Sequence, residues 1–337
     1  MAAMRMRIIC FHLNQVGDLV FSLPALKCIR ESFPDAHVTS VVRPGAVELL
    51  ETTSLADAVL SRNSRLNLNK YRLARQLSRG NYDLAVVFSQ SAECAILSYL
   101  TRAPKRIGFV NTSLGRLLTK QVEFHHPPST ENNLRLVEAA GCGIVKRDYA
   151  GLLTPSLAQI DRADKILAAN SVASTDRIVT LAPGTSGRRS VKEWTDDGFA
   201  VVGRYLIDRG FKPVVLGTQP ATKIVEENEG ILDLSGRTSL GDVLAILVRS
   251  AALVAVDSGI LHLGAAVGTR VVGLYGPSNP EITGPRGEGH VVFTSGVECS
   301  PCIRTDCDRG RECMLRIEPE AVISALDGVL KCEAQAS

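Results

Sequence analysis

The sequence predicts an α/β chain built as two similar halves, each a mostly parallel sheet layered with helices. Three observations predict it. The chain has 337 residues, and at about 150 residues per domain that length calls for two domains. Short β-branched runs alternate with segments of helical period along both halves, the pattern of βαβ units. Apolar residues make up 45% and charged residues 22%, ordinary values for a soluble globular protein, so each half can bury a core and wholesale disorder is excluded.

In the first half, RIICFHL (7–13), HVTSVV (37–42), DAVL (57–60), DLAVVF (83–88) and RIGF (106–109) read as strands. The opening MAAMRMRIICFHL puts a charge before an apolar stretch, but that stretch is too short for a signal h-region and reads as a buried first strand. Leu19, Leu23, Leu26, Ile29 and Phe33 mark one helix face, with Pro24 expected in the first turns, and residues 68–77 mark a second. The join falls in 152–177, where Thr154-Pro155-Ser156 opens an amphipathic helix, so the domains are expected at 1–154 and 155–337. The second half repeats the plan with strands RIVTLAP (177–183), KPVVLG (212–217), ILDLSG (231–236), ALVAVD (252–257) and RVVGLYG (270–276). Its helices are expected at about 195–208, 239–250 and 259–267. A last helix, about 319–330, closes the chain, with the option of packing back on the first domain.

Charge separates the halves. Up to Thr154 there are 19 basic and 12 acidic residues, and beyond it 19 basic and 23 acidic. The first half attracts an anionic partner. Its excess is clustered: residues 58–82 hold Arg62, Arg65, Lys70, Arg72, Arg75 and Arg79 with no acid, and residues 95–122 hold Arg102, Lys105, Arg106, Arg116 and Lys120, again with none. No apolar run approaches the ~18 residues needed to cross a bilayer. Of nine cysteines, Cys299, Cys302, Cys307 and Cys313 are packed together, and disulfides are not expected without an export signal.

Neither half carries G-x-G-x-x-G after its first strand, and no G-x-x-x-x-G-K-[ST] is present. A dinucleotide-dependent dehydrogenase and a P-loop NTPase both lose support. Ligands of doubly wound sheets still sit at the carboxyl ends of the strands, and three loops there carry chemistry. In Asn14-Gln15-Val16-Gly17-Asp18, Asp18 begins a helix, as an N-cap or as a catalytic carboxylate. In VDSGILHLGAAVGT, Ser258 and Gly259 offer small residues and free N–H groups at a helix N-terminus, a site for a diphosphate. Asp257 beside it suits a phosphorylated sugar, whose hydroxyls it can accept, better than bare phosphate. His262 falls one turn on, on the same face, as a ligand contact or as a packed, hydrogen-bonded core histidine. In LAPGTSGRRSVKEW, Thr185 and Ser186 make a donor-rich loop followed by Arg188, Arg189 and Lys192, cations that oppose the next helix dipole and so ask for a nearby anion.

These residues resemble glycosyltransferase family 9, the heptosyltransferases of bacterial lipopolysaccharide assembly. The carriers are Val16-Gly17-Asp18 with Leu23-Pro24-Ala25-Leu26, then Arg106-Ile107-Gly108-Phe109, and Pro183-Gly184-Thr185 with Lys192 and Trp194. Asp257-Ser258-Gly259, His262-Leu263 and Tyr275-Gly276-Pro277-Ser278-Asn279-Pro280 complete the set. Each is weak alone; their order and spacing over nearly the whole chain are specific.

The resemblance implies a GT-B fold, two Rossmann-like domains facing across a cleft, the first for acceptor and the second for nucleotide-sugar donor. It implies inverting, metal-independent transfer of heptose from ADP-heptose to a lipid A–Kdo or heptose-bearing core, with Asp18 as general base. Thr185, Ser186 and Lys192 would hold the donor phosphates, Asp257 the transferred sugar, and Ser258, Gly259 and His262 the diphosphate. The basic first half fits an anionic glycolipid acceptor, with Arg62, Arg65 and Arg106 as its candidate contacts. The expected location is cytoplasmic, peripheral to the inner membrane, with transient contact with its surface and no nucleic-acid partner. Cys299, Cys302, Cys307 and Cys313 form C-x2-C-x4-C-x5-C, which reads either as a structural Zn or Fe site or as reduced, unligated thiols. The alternatives are a sugar-nucleotide epimerase of the same architecture and a non-enzymatic, metal-stabilised binding module.

Overall fold

A computed structural model describes residues 5–62, 67–125, 129–185, 189–302 and 304–334. The chain divides into two compact units between Leu152 and Leu153.

Unit 1 holds β1 (Arg7–His12), β2 (His37–Val42), β3 (Ala58–Ser61), β4 (Leu84–Val87), β5 (Lys105–Phe109) and β6 (Lys120–Val122), in the order β3-β2-β1-β4-β5-β6. Unit 2 holds β7 (Ile178–Ala182), β8 (Lys212–Val215), β9 (Leu232–Asp233), β10 (Ser250–Val256), β11 (Val271–Tyr275) and β12 (Val291–Thr294), in the order β12-β11-β10-β7-β8-β9. Every pairing is parallel. Both sheets therefore follow the same doubly wound plan, strand order 3-2-1-4-5-6, which reverses direction between its first and fourth strands.

Central strands are buried along their length: every residue of β4, β7, β10 and β11 is buried. Helices on both faces make that possible, which is why these strands read as continuous apolar runs rather than alternating ones. In unit 1, Ile9, Phe11, Val41, Ala85 and Val87 pack with Leu73 and Leu77 of the helix Asn67–Ser78. In unit 2, Val179, Leu181, Val254, Val256, Val272 and Leu274 share one core with Trp194 and Phe199. The Trp194 indole N–H donates to the Ile317 carbonyl at 3.0 Å, and its ring meets Phe199 edge-on at 5.2 Å.

Three features differ from the sequence reading. The edge strands β6 and β12 complete the sheets but are short, three and four residues, and β6 carries a single apolar residue. Pro24 lies two turns into the helix Val16–Ser32, where it removes the N–H that the Val20 carbonyl would otherwise accept. The helix continues because its middle, from Leu19 to Leu26, is buried. The helices Ala92–Leu100 and Ser129–Ala139 were not anticipated; Ser91 caps the first by accepting from the Cys94 N–H. The helix Pro319–Ala334 buries Val322, Leu326, Val329 and Leu330 in the core of unit 2.

Candidate active site

The same strand order puts a switch point in each unit, after β1 and β4 in unit 1 and after β7 and β10 in unit 2. The three loops singled out by sequence sit at these points.

In unit 1, Gln15 is the N-cap of the helix Val16–Ser32 and Asp18 its third residue. Asp18 is therefore not the cap: its Oδ2 reaches back to accept the Gln15 N–H at 3.1 Å, the acidic half of a capping arrangement. The carboxylate is exposed. Behind it, at the end of β1, His12 is buried and stacked on Phe88 at 4.7 Å. Burial pushes its imidazole down to about 3, so it is neutral. The Ser22 hydroxyl donates to the Leu19 carbonyl at 2.7 Å and lies 2.7 Å from His12 Nδ1. A hydroxyl has one proton, so Nδ1–H is the donor to Ser22 and Nε2 carries the lone pair. That Nε2 is buried with no partner. Nothing in the local sequence marks His12, because its environment comes from Phe88, the residue after β4.

The candidate acceptor arginines differ in their engagements. Arg62 Nε donates to Glu93 at 2.8 Å, and a second nitrogen pairs with the same carboxylate. Arg106 donates to the carbonyls of Leu117 at 2.8 Å and Ala103 at 2.6 Å and lies over the Tyr99 ring at 5.6 Å. Its guanidinium tethers β5 to the following turn. Arg65 lies outside the described residues.

In unit 2 the loop after β7 places Thr185, whose N–H and hydroxyl both donate to Glu193 Oε1, at 3.2 and 3.0 Å. Ser186 lies outside the described residues. Lys192 closes the turn Ser190–Lys192 and sends Nζ to Asp257 Oδ2 at 2.5 Å. His262 Nε2 stands 3.5 Å from the other Asp257 oxygen. Burial alone would raise the Asp257 carboxyl, but the hydrogen bond from His262 and the Lys192 charge outweigh it and hold the group well below the usual carboxylate range. Lys192 therefore already has its anion, supplied by the chain itself. Ser258 is the N-cap of the helix Gly259–Val267 without using its side chain as a cap. Its Oγ is buried and unpartnered, beside the first-turn N–H groups that begin at Gly259.

Sequence reasoning missed three side chains at this edge. Glu193 holds Thr185. Ser235 after β9 and Ser278 after β11 are each 7% exposed, and each Oγ has no partner. Ser278 lay inside a motif already noted; Ser235 is recognised only through the sheet order that brings β9 beside β8.

The cysteine cluster was open between a metal site and free thiols. All four thiols are free, and among the described residues no three His, Cys, Asp or Glu side chains are placed to hold a metal ion. Cys313 turns inward beside Met314, its sulfur 2.8 Å from where a Cβ on Gly276 would lie, while Cys307 Sγ accepts the Arg311 N–H at 3.4 Å. Two of the four thiols thus make contacts of their own within the fold.

Comparison with known proteins adds what geometry alone does not. The model of glycosyltransferase family 9 (heptosyltransferase) matches residues 70–311. Lipopolysaccharide heptosyltransferase 2 of Escherichia coli K12 is 24% identical over 348 residues, covering 96% of this chain and 99% of that protein. The crystal structure of a family 9 glycosyl transferase from Veillonella parvula superposes with a TM-score of 0.86 at 22% identity, covering 98% of this chain and 99% of that one. The structure of the E. coli ADP-heptose heptosyltransferase II gives 0.81 at 21% identity, over 98% and 100%. The two Rossmann-like units are those of the GT-B class, and no helix among the described residues is long and apolar enough to cross a membrane. With more than half its length under the family model, the chain belongs to glycosyltransferase family 9, the heptosyltransferases.

Proposed function

We propose that this enzyme transfers heptose from ADP-heptose to a lipopolysaccharide core acceptor with inversion at the anomeric carbon. The observation that carries the reading is the polar edge of unit 2: Lys192, Asp257 and His262 tied together beside an unpartnered Ser258 hydroxyl at a helix N-terminus. An ammonium has three donors. One Lys192 donor meets Asp257, and two remain for phosphate oxygens. The helix end and Ser258 add donors aimed at the same charge. Asp257, fixed as an anion, accepts hydroxyls of the transferred sugar, and Thr185 is oriented by Glu193.

Asp18 is the base. It takes the proton of the acceptor hydroxyl while that oxygen attacks the anomeric carbon from the side opposite the diphosphate. The carbon–oxygen bond to ADP breaks, its electron pair leaves with the nucleotide, and Lys192 with the helix end receives the charge. Asp18 then releases its proton to water. Arg62 and Arg65 are the proposed acceptor contacts. The excess of 19 basic over 12 acidic residues before position 154, with exposed Tyr71, Ile96 and Tyr99 on unit 1, supports a brief stay of the enzyme on an anionic membrane surface at the cytoplasmic face.

A thermal-shift series with ADP, UDP, GDP and their sugar conjugates tests the donor, because a ligand of the native state raises the melting temperature. ADP and ADP-heptose are expected to stand apart. Equal shifts from all three nucleotides overturn the ADP assignment, and conversion of donor without acceptor overturns transfer in favour of an epimerase.

A further inference from the structure

Unit 1 carries a second feature, at the end of its sheet away from Asp18. A cavity of about 590 Å³ is lined by Arg7, His37, Arg72, Arg75, Arg79 and Tyr82, among others. Arg7 and His37 open β1 and β2 and are register partners, so the cavity lies at the amino ends of the strands. Asp18 follows the carboxyl end of β1. Six residues at ~3.3 Å each put about 20 Å between the two, so the cavity is separate from a reaction at the switch point.

No acid lines it. Arg72, Arg75 and Arg79 stand at i, i+3 and i+7, one face of the helix Asn67–Ser78 and its end. None of the three guanidinium groups has a hydrogen bond or carboxylate partner among the described residues, and residues 58–82 contain no acid at all. The neighbouring acids are engaged: Asp57 accepts from Arg30 at 2.8 Å and from the Val38 N–H at 2.7 Å, and Asp83 accepts the Arg7 N–H at 2.8 Å. Arg7 is held in place by its Nε–H to the Gly80 carbonyl at 2.6 Å and by the Tyr82 ring under its guanidinium, which leaves its two terminal nitrogens unpartnered. A helix C-terminus favours cations and accounts for Arg75 and Arg79. It does not account for Arg72, nor for Arg7, which arrives from a strand. Like charges on one helix face repel, and three guanidinium groups from the helix and one from a strand surround one hollow with no anion of the chain among them.

We propose that this cavity is a binding site for a phosphorylated group, a phosphate ester or diphosphate, which arginine forks grip through paired N–H donors. The ligand is the headgroup of an anionic lipid or a soluble phosphate compound, and the experiment separates them. In the full-length protein with ¹⁵N-labelled arginine, the Nε–H signals of Arg72, Arg75 and Arg79 are assigned by the single changes Arg72→Gln, Arg75→Gln and Arg79→Gln. Titration with inorganic pyrophosphate is expected to move these signals, whatever happens at any other anion site of the enzyme. The paired change Arg75→Gln/Arg79→Gln is expected to weaken that response by about tenfold. Co-sedimentation with phosphatidylglycerol–phosphatidylcholine vesicles, against phosphatidylcholine alone, forms the second arm. A loss of vesicle binding in the paired variant, not matched by the equally charged control Arg102→Gln/Arg116→Gln, assigns the lipid headgroup; pyrophosphate response without that loss assigns a soluble phosphate. Unmoved arginine signals together with equal vesicle binding by the paired variant, its control and the parent overturn the site.

Discussion

The two switch points share a topology and treat their carboxylates in opposite ways. Asp257 is 6% exposed, bonded to Lys192 and within reach of His262, and held ionised far below the ordinary carboxylate range. Asp18 faces solvent and bonds to the Gln15 N–H. A carboxylate bound so tightly as an anion is a poor proton acceptor, since every partner that stabilises it must be lost on protonation. Of the two, Asp18 has the exposure that the proposed base requires. The contrast teaches that strand order places an acid at each switch point, whereas burial and partners decide how firmly that acid is held as an anion.

The sharpest way to break the contrast is Asp18→Asn. Turnover is expected to fall about 10²- to 10⁴-fold, with ADP affinity within about twofold of the parent and stability within ~0.5 kcal/mol, as for an exposed position. Steady-state kinetics retaining more than a tenth of the rate would contradict the base assignment. Lys192→Met tests the other half. Removing one partner of a buried pair costs about 3 kcal/mol, expected in denaturant unfolding of the purified protein, together with weaker ADP binding; a variant as stable as the parent would mean that Asp257 is not held as described.

The third test sharpens the comparison through pH. His12 binds its proton at about 3 in the folded state against a reference of 6.5, so acid favours the unfolded chain, which takes up the proton first. Stability is expected to fall by about 1.5 kcal/mol between pH ~6.5 and ~5 from this group alone. Asp257 contributes only at lower pH, because its stabilisation is complete above the ordinary carboxylate value of 3.8 and fades below it. In unfolding curves across this range, His12→Phe should flatten the loss; an unchanged slope would locate it elsewhere. The smallest effect is expected for Ser258→Ala: about threefold in ADP affinity, the scale of one neutral hydrogen bond. Unfolding should be unaltered, because Ser258 Oγ has no protein partner to lose.

Much of this was legible in the sequence. Continuous apolar runs such as LVAV at 253–256 identify strands buried on both faces, and the three loops that follow strands were recognisable because parallel sheets place ligands there. Edge strands were harder, since KQV at 120–122 buries too little to show a pattern. Asp18 was identified, but its place one turn inside the helix, rather than at the cap, depends on Gln15 taking the cap position. The partners of the site residues were not legible at all. Lys192 and Asp257 are 65 residues apart, and nothing local in either segment announces that one neutralises the other. The cysteine spacing was compatible with a metal, but spacing does not report that Cys313 points into a hydrophobic core.

Trp194, the one tryptophan of the chain, lies two residues beyond Lys192 and is clamped between Phe199 and the Ile317 carbonyl. The molecule is thus optically lopsided. Indole emission reports the melting of the C-terminal half, whereas the N-terminal half, with tyrosines and no indole, stays dark in that channel. A fluorescence melt therefore follows the C-terminal half, whereas a circular-dichroism melt of the same sample follows the helices and strands of both.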